Sequence, residues 1–179
     1  MPSPRAGFAL LATTLLVGAS TAVATSSSVS AAPRAPGQIR GVEHLHTQVD
    51  LPAGAWTNTP LEVTLPRAGT YELDADVRGR LSGIPAVNTY MTARLWNVTT
   101  GAAVPESERL VNQIIDLNQG DAGTGSNQTA PISELIKVNG PTTIRLQAQR
   151  IDAVGAASVA QVYSDGHGYT SLRYERVSS

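Results

Sequence analysis

Apolar and polar residues alternate along most of this chain, most regularly just after the Pro-containing turn at residues 66–69. From Tyr71 to Arg78 every second residue is apolar, and the residues between them are charged. A period of two is typical of a β-strand with one face in a core and the other in water. The pattern therefore predicts a strand here, with a second turn at residues 82–83.

Shorter patterns of the same kind recur and are separated by Gly, Asn and Pro turns. They predict further strands at residues 41–49, 61–65, 89–97, 129–139, 142–150, 157–163 and 171–177. Residues 109–117 fit a helix as well as a strand, and the neighbouring strands favour a strand. Residues 118–128 predict a loop. About eight to ten short strands predict an all-β fold, a two-sheet antiparallel β-sandwich of jelly-roll type.

The N-terminal 32 residues have the pattern of an export signal and its leader tail. Arg5 precedes an apolar run at residues 8–23, which is short for a membrane span. Residues 22–24 and 30–32 are alternative cleavage sites, and a retained membrane anchor is the other interpretation. Residues 33–38 read as a short linker before a single domain at residues 39–179. We expect a secreted, extracellular protein that leaves the membrane after cleavage.

Composition excludes several kinds of chemistry. With no cysteine in the chain, disulfides, thiol catalysis and Cys-ligated metals are excluded. Its 13 Lys and Arg residues nearly balance 14 Asp and Glu residues, without a basic block, so nucleic acid is not an expected partner. Arg, Ala and Gly are frequent and Lys137 is the single lysine, which suggests a bacterial coding bias. No cofactor is predicted.

Three segments resemble the C1q/TNF-like jelly-roll family. Residues 68–73 (AGTYEL) resemble its Gly-x-Tyr-x-aliphatic strand. Residues 138–141 (VNGP), followed by 144–148 (IRLQA), resemble its Gly-bearing turn and a strand that ends Leu-x-Ala. Residues 168–177 are similar to its final strand, and the resemblance covers roughly residue 49 to the C-terminus. It implies two packed sheets and often a compact homotrimer, without implying complement or cytokine activity.

Tyr90 and Trp96 are the candidate functional residues. On the strand predicted at 89–97 they share a face with Arg94, opposite Met91, Ala93 and Leu95. Large side chains on both faces predict a strand that is buried on both sides. One face would pack in the core, and in a trimer a neighbouring subunit would cover the other. The alternatives are cover by a loop of the same chain, two rings lying on the surface, or an open platform that stacks on sugars. The candidate partners are therefore further copies of this chain, or an extracellular glycan or protein.

Two groups of residues have spacings that occur in metal sites. His44 and His46 share one face of a strand, as half of a zinc or copper site would, and His167 is a third histidine. In the loop at 118–128, Asp121, Gly123, Gly125 and Asn127 alternate, faintly like a calcium loop, but the loop brings a single carboxylate. We predict that the histidines are exposed, that residues 118–128 form a Gly-rich loop, and that neither group binds a metal.

Paired acidic residues offer a last candidate site. Asp74 and Asp76 share the polar face of one strand, and we interpret them as a solvated face balanced by Arg78 and by Arg94 or Arg145 across it.

The sequence thus predicts a secreted, non-catalytic jelly-roll module. It would bind or build extracellular structure and self-associate as a trimer. One alternative is a carbohydrate-binding β-sandwich. The other is a hydrolase that uses His167 and Asp165, for which the sequence offers no identifiable nucleophile.

Overall fold

Eleven strands make up the computed structural model, which describes residues 39–120 and 122–179. The predicted signal, cleavage sites and linker lie outside the described residues. Within them, no helix has the length and apolar character needed to cross a membrane. The strands are β1 (Arg40–His44), β2 (Val49–Asp50), β3 (Thr57–Leu65), β4 (Gly69–Gly83), β5 (Val87–Asn97), β6 (Ala102–Ala103), β7 (Arg109–Asp116), β8 (Thr124–Val138), β9 (Thr142–Val154), β10 (Ala157–Val162) and β11 (Ser171–Ser178).

The first sheet is built around β4, the strand whose alternation is clearest in the sequence. On one side β8 pairs with the whole length of β4. On the other side β11 pairs with residues 70–76 and β10 with residues 79–83, so these two strands lie end to end. β1 and β2 pair with β11 and β10 and form the outer edge. Every pairing is antiparallel.

The second sheet is built around β5 in the same way. β9 pairs along one side of β5, while β7 and β6 lie end to end along the other. β3 pairs with β9 and forms the far edge. This sheet is also antiparallel.

Each end-to-end pair acts as one interrupted strand. The chain then has strands 1 (β1/β2), 2 (β3), 3 (β4), 4 (β5), 5 (β6/β7), 6 (β8), 7 (β9) and 8 (β10/β11). Their order is 1-8-3-6 in the first sheet and 2-7-4-5 in the second. This interleaving of two Greek keys is the jelly-roll arrangement, so the predicted fold class is confirmed.

One core fills the space between the two sheets. β4 buries every second residue from Gly69 to Gly83, as its alternation predicts. The only phenylalanine of the sequence is Phe8, which precedes the domain. Within the domain, Tyr71 supplies a large aromatic ring that is fully buried. Its hydroxyl donates a hydrogen bond of 2.9 Å to the carbonyl of Arg67, which satisfies its polar atom. The other largest fully buried side chains are Leu45, Leu61, Leu65, Leu73, Leu81, Met91, Leu95, Ile132, Ile144, Leu146 and Leu172.

The observed strands test the predictions made for three segments of the sequence. The strand expected at 109–117 is present as β7. The loop expected at 118–128 is wrong in its second half, because β8 begins at Thr124 and pairs with the long edge of β4. The single strand expected at 41–49 is wrong as well. It divides into β1 and β2 because Leu45, just after β1, is buried in the core.

Candidate functional site

Tyr90 and Trp96 lie on the outer face of the second sheet. Their side chains are partly buried, and Met91, Ala93 and Leu95 on the other face of β5 are fully buried. β5 therefore has the predicted arrangement, with Tyr90 and Trp96 on one face and the core residues on the other. Tyr90 and Trp96 are six positions apart, which is about 20 Å along a strand. They belong to two different parts of the face.

Apolar residues surround Tyr90. In the strand register it lies between Gln113 of β7 and Ile151 of β9. Ile115, opposite Asn88, is 60% exposed, and Leu110, opposite Thr92, is 55% exposed. We call the group formed by Tyr90, Leu110, Ile115, Ile151 and Val154 the apolar end of the face.

Two tryptophans and one arginine occupy the other end. The guanidinium carbon of Arg94 lies 3.8 Å from the ring centroid of Trp56 and 4.8 Å from that of Trp96. Arg94 Nε donates to Gln147 Oε1 at 2.8 Å, and Gln147 Nε2 donates to Asn58 Oδ1 at 2.8 Å. We call these five residues the tryptophan site.

The sheet explains how the tryptophan site is assembled. Arg94 and Trp96 are two apart on β5, Gln147 faces Arg94 across the β5–β9 ladder, and Asn58 faces Gln147 across the β9–β3 ladder. Trp56 comes directly before β3 and reaches the same face. Burial lowers the pKa of Arg94, and the charge of Glu108 partly opposes this. The guanidinium remains a cation at neutral pH, held against two aromatic rings.

A cavity of about 200 Å³ opens beside the tryptophan site. Arg94 forms part of its wall, and the rest comes from residues 103–108, which lead from β6 to β7. Ser107 fixes this segment, since its hydroxyl donates to the carbonyl of Val104 at 2.7 Å and accepts from the backbone N–H of Leu95 at 3.1 Å. The segment is thereby attached to β5 next to Arg94.

One carboxylate on the polar face of β4 pairs with an arginine, and that arginine, Arg173, is none of the three predicted. Asp74 accepts a hydrogen bond from Ser133 at 2.7 Å, and Asp76 forms an ion pair with Arg173. Arg94 and Arg145 do not lie across this face, because β5 and β9 belong to the other sheet. Arg78 shares the face, but its guanidinium forms an ion pair with Asp165 instead.

Arg78 pairs with Asp165 of the β10–β11 loop. Its Nη1 donates to Asp165 Oδ1 at 2.6 Å, and Asp165 also accepts from the backbone N–H of His167 at 2.8 Å. Both hydrogen bonds lower the pKa of Asp165, that from Arg78 more strongly. The bond that joins Asp165 to His167 thus comes from the backbone rather than the imidazole, as in a loop-stabilising Asx turn.

The histidines predicted to share a face do come close. The rings of His44 and His46 are 6.4 Å apart, and Tyr169 lies 5.2 Å and 6.1 Å from them. In residues 39–120 and 122–179, no group of three or more His, Cys, Asp or Glu side chains is arranged to hold a metal ion. Asp121 of the predicted calcium-like loop lies outside the described residues, and Gly125 and Asn127 belong to β8.

Trp56 and Asn58 are the residues of the tryptophan site that the sequence pattern misses, because it predicts a strand from residue 61 whereas β3 begins at Thr57. Alternation along β5 places Arg94 and Trp96 on one face. Trp56, however, follows a turn and precedes its strand, so no period assigns it to a face. Only the pairing of β3 with β9 brings it over Arg94.

Comparison with protein-family models and with curated proteins finds no match. Among solved structures, the VP2 subviral particle of infectious bursal disease virus is similar, with a TM-score of 0.43 and 12% identity over 79% of this chain and 33% of that chain. T=1 particles derived from the virus give 0.41 and 12% over 80% and 37%, and the T13 particle gives 0.41 and 14% over 79% and 36%. This chain spans about a third of the length of those proteins, and likeness at these values assigns it neither family nor function.

Proposed function

We propose that this protein is a secreted, non-catalytic jelly-roll module that binds or builds extracellular structure and self-associates as a trimer. The observation that supports it is the apolar end of the second sheet's outer face. The export-signal pattern supports secretion, and the resemblance to C1q/TNF-like domains, which implies a trimer, is compatible with the strand order.

The apolar end has the character of a contact surface. Leu110 and Ile115 are more than half exposed, and Val154 is 43% exposed on the same face. The partly buried Tyr90 and Ile151 lie between them in the strand register. Apolar side chains grouped in this way, rather than scattered, mark an interaction site. A second copy of the chain is the occupant we propose, and three-fold closure would cover the surface on every subunit.

Light scattering on the mature protein tests this proposal. We expect a trimer for the natural sequence and a monomer for Leu110→Lys/Ile115→Lys, because buried charges oppose assembly. Leu135→Lys is the matched control, since Leu135 is 67% exposed on β8 of the other sheet, and it should leave the trimer intact. A strict monomer for the natural sequence at micromolar concentration would refute self-association.

One observation supports a non-catalytic role. Asp165, the acid of the hydrolase alternative, already accepts hydrogen bonds from Arg78 and from the backbone N–H of His167. Any hydrolytic activity of the purified protein that disappears in His167→Ala would overturn this part of the proposal.

Carbohydrate binding is the second candidate function. The tryptophan site favours it, because aromatic rings beside amide and guanidinium groups suit stacking on sugar rings together with hydrogen bonds to their hydroxyls. Glycan-array binding that Trp96→Ala abolishes would support this function, and silence on a broad array would count against it.

A further inference from the structure

We propose that the tryptophan site binds a saccharide that carries a carboxylate, with the carboxylate on Arg94 and the sugar ring against a tryptophan. This inference rests on the carbohydrate-binding candidate above and names its ligand class. It is carried by three features of the site: an arginine without a carboxylate partner, two indole rings that contact it, and a small cavity beside it.

Arg94 is unlike the arginines that are neutralised within the domain. The described residues contain five ion pairs, and Arg94 is in none of them. Its one hydrogen bond among these residues leaves from Nε to Gln147, so both terminal nitrogens keep donors for a ligand. The arginines in the five pairs are Arg78, Arg109, Arg145, Arg150 and Arg173.

The surroundings of Arg94 favour the binding of an anion. Partial burial beside the two rings removes water from the guanidinium, which lowers its pKa without discharging it. Gln147 holds Nε and thereby the orientation of the planar group, and Asn58 in turn holds Gln147. A carboxylate that arrives finds the terminal N–H donors of a planar group whose orientation is already fixed.

The size of the cavity favours a single sugar unit. At about 200 Å³ it is smaller than the roughly 300–1,000 Å³ typical of pockets for drug-sized ligands. The carboxylate-bearing side of one uronic acid can enter it beside Arg94, while the sugar ring lies against Trp56 or Trp96, which are outside the cavity lining. Residues 103–108, Ser107 among them, form the rest of its wall.

Glu108 opposes this ligand and so provides a sensitive test. It lines the same cavity as Arg94, it is exposed, and its charge acts on Arg94. A carboxylated ligand should therefore bind more tightly when Glu108 is neutralised. A neutral sugar whose hydroxyls donate to Glu108 should bind less tightly after the same change.

A glycan array with matched pairs, each a uronic acid oligosaccharide and its neutral counterpart, followed by calorimetry on the best pair, tests the proposal. We expect preference for the acidic member and about tenfold or greater weakening in Arg94→Gln, since hydrogen bonds to charged groups are strong. Arg94→Lys keeps the charge but not the planar fork and should also weaken binding. Glu108→Gln, at an exposed position where misfolding is not expected, should strengthen binding several-fold.

Equal binding of acidic and neutral members, weakening in Glu108→Gln, or no binding to any carboxylated glycan on the array would overturn the proposal. Its failure can be separated from failure of self-association. Arg94 lies about 13 Å along β5 from Tyr90 and about 20 Å from Asn88, the partner of Ile115, so the Arg94 and Glu108 variants should keep the oligomeric state of the natural protein. Ile115→Lys alone should in turn keep the preference for the acidic glycan. Leu110 is left unchanged in this control, because its partner Thr92 is next to Arg94 on the same face.

Discussion

Asp165 shows how one loop carboxylate stabilises this fold in a pH-dependent way. Arg78 and the backbone of His167 donate to it, and these bonds lower its pKa in the folded state. A group with a depressed folded pKa contributes stability above its unfolded pKa of about 4, and this is lost as pH falls through the folded value. We predict that Asp165→Asn is less stable than the natural protein at pH 7, with the difference shrinking toward pH 3.

Urea unfolding at several pH values between 7 and 3 measures this difference. Asp74→Asn is the matched control, because Asp74 bonds to the neutral Ser133 on the face of the sheet. It should show a smaller loss at pH 7. If Asp165→Asn lost the same stability at pH 3 as at pH 7, the contribution would not come from the charge of Asp165.

Single residues also show where sequence reasoning about the site ends. The period of β5 correctly placed Tyr90, Arg94 and Trp96 on one face, because alternation depends only on local backbone geometry. It did not show that Tyr90 and Trp96 lie in different surroundings, since these come from β3, β7 and β9. The partner of Asp76 was missed for the same reason. Arg173 is distant in sequence and adjacent only through the β4–β11 ladder.

At the scale of elements, β7 explains why residues 109–117 fitted a helix as well as a strand. The β5–β7 ladder shifts register there, and two successive residues, Val111 and Asn112, are buried. This interruption of the two-residue period imitates helical spacing. Asn112 is satisfied inside the sandwich, where its side-chain nitrogen donates to the carbonyls of Gly79 and Ser126 at 3.1 and 3.0 Å.

The middle of β4 requires a glycine for the same packing between sheets. A Cβ at Gly79 would lie 1.8 Å from Met91 Cε and 2.9 Å from Val111 Cγ1, and both side chains are buried. We predict that Gly79→Ala destabilises the fold by about 1–3 kcal/mol, the usual cost of overpacking a core. Gly140→Ala, where nothing lies within 4 Å of the added atom, should change stability by less than about 0.5 kcal/mol.

Chemical denaturation of both glycine variants checks this prediction. The methionine end is flexible, but Met91 is fully buried, so its displaced methyl group has little space to enter. Equal stabilities for Gly79→Ala and Gly140→Ala would mean that the core adjusts without cost.

For the whole molecule, the sequence supported the fold class because turns and two-residue periods repeat along the chain. The order of strands within the sheets depends on pairings between distant segments, such as β1 with β11, and alternation does not encode these. The sequence predicted a jelly-roll sandwich without a strand order, so the order and the register of the ladders come from the structure alone. Strand ends were less predictable. The length of β8, for instance, follows from its partner β4 rather than from its own first residues, the polar run TGSNQ.

The jelly-roll order predicts that strands near the two ends of the chain differ in importance. β11 lies between β1 and β4 and buries Leu172 completely, while β1 is an edge strand whose Val42 is 46% exposed. Losing one buried leucine alone costs about 2–5 kcal/mol, against a total stability of about 5–15 kcal/mol. A chain without residues 171–179 should therefore be unfolded at 25 °C, since β1 loses the strand it pairs with and β4 keeps only β8 beside residues 70–76. A chain that begins at Leu45 should keep its β-sheet circular dichroism and a cooperative thermal transition at a lower midpoint. If the chain without β11 stayed folded while the chain without β1 did not, β11 would not be the central strand that its two ladders indicate.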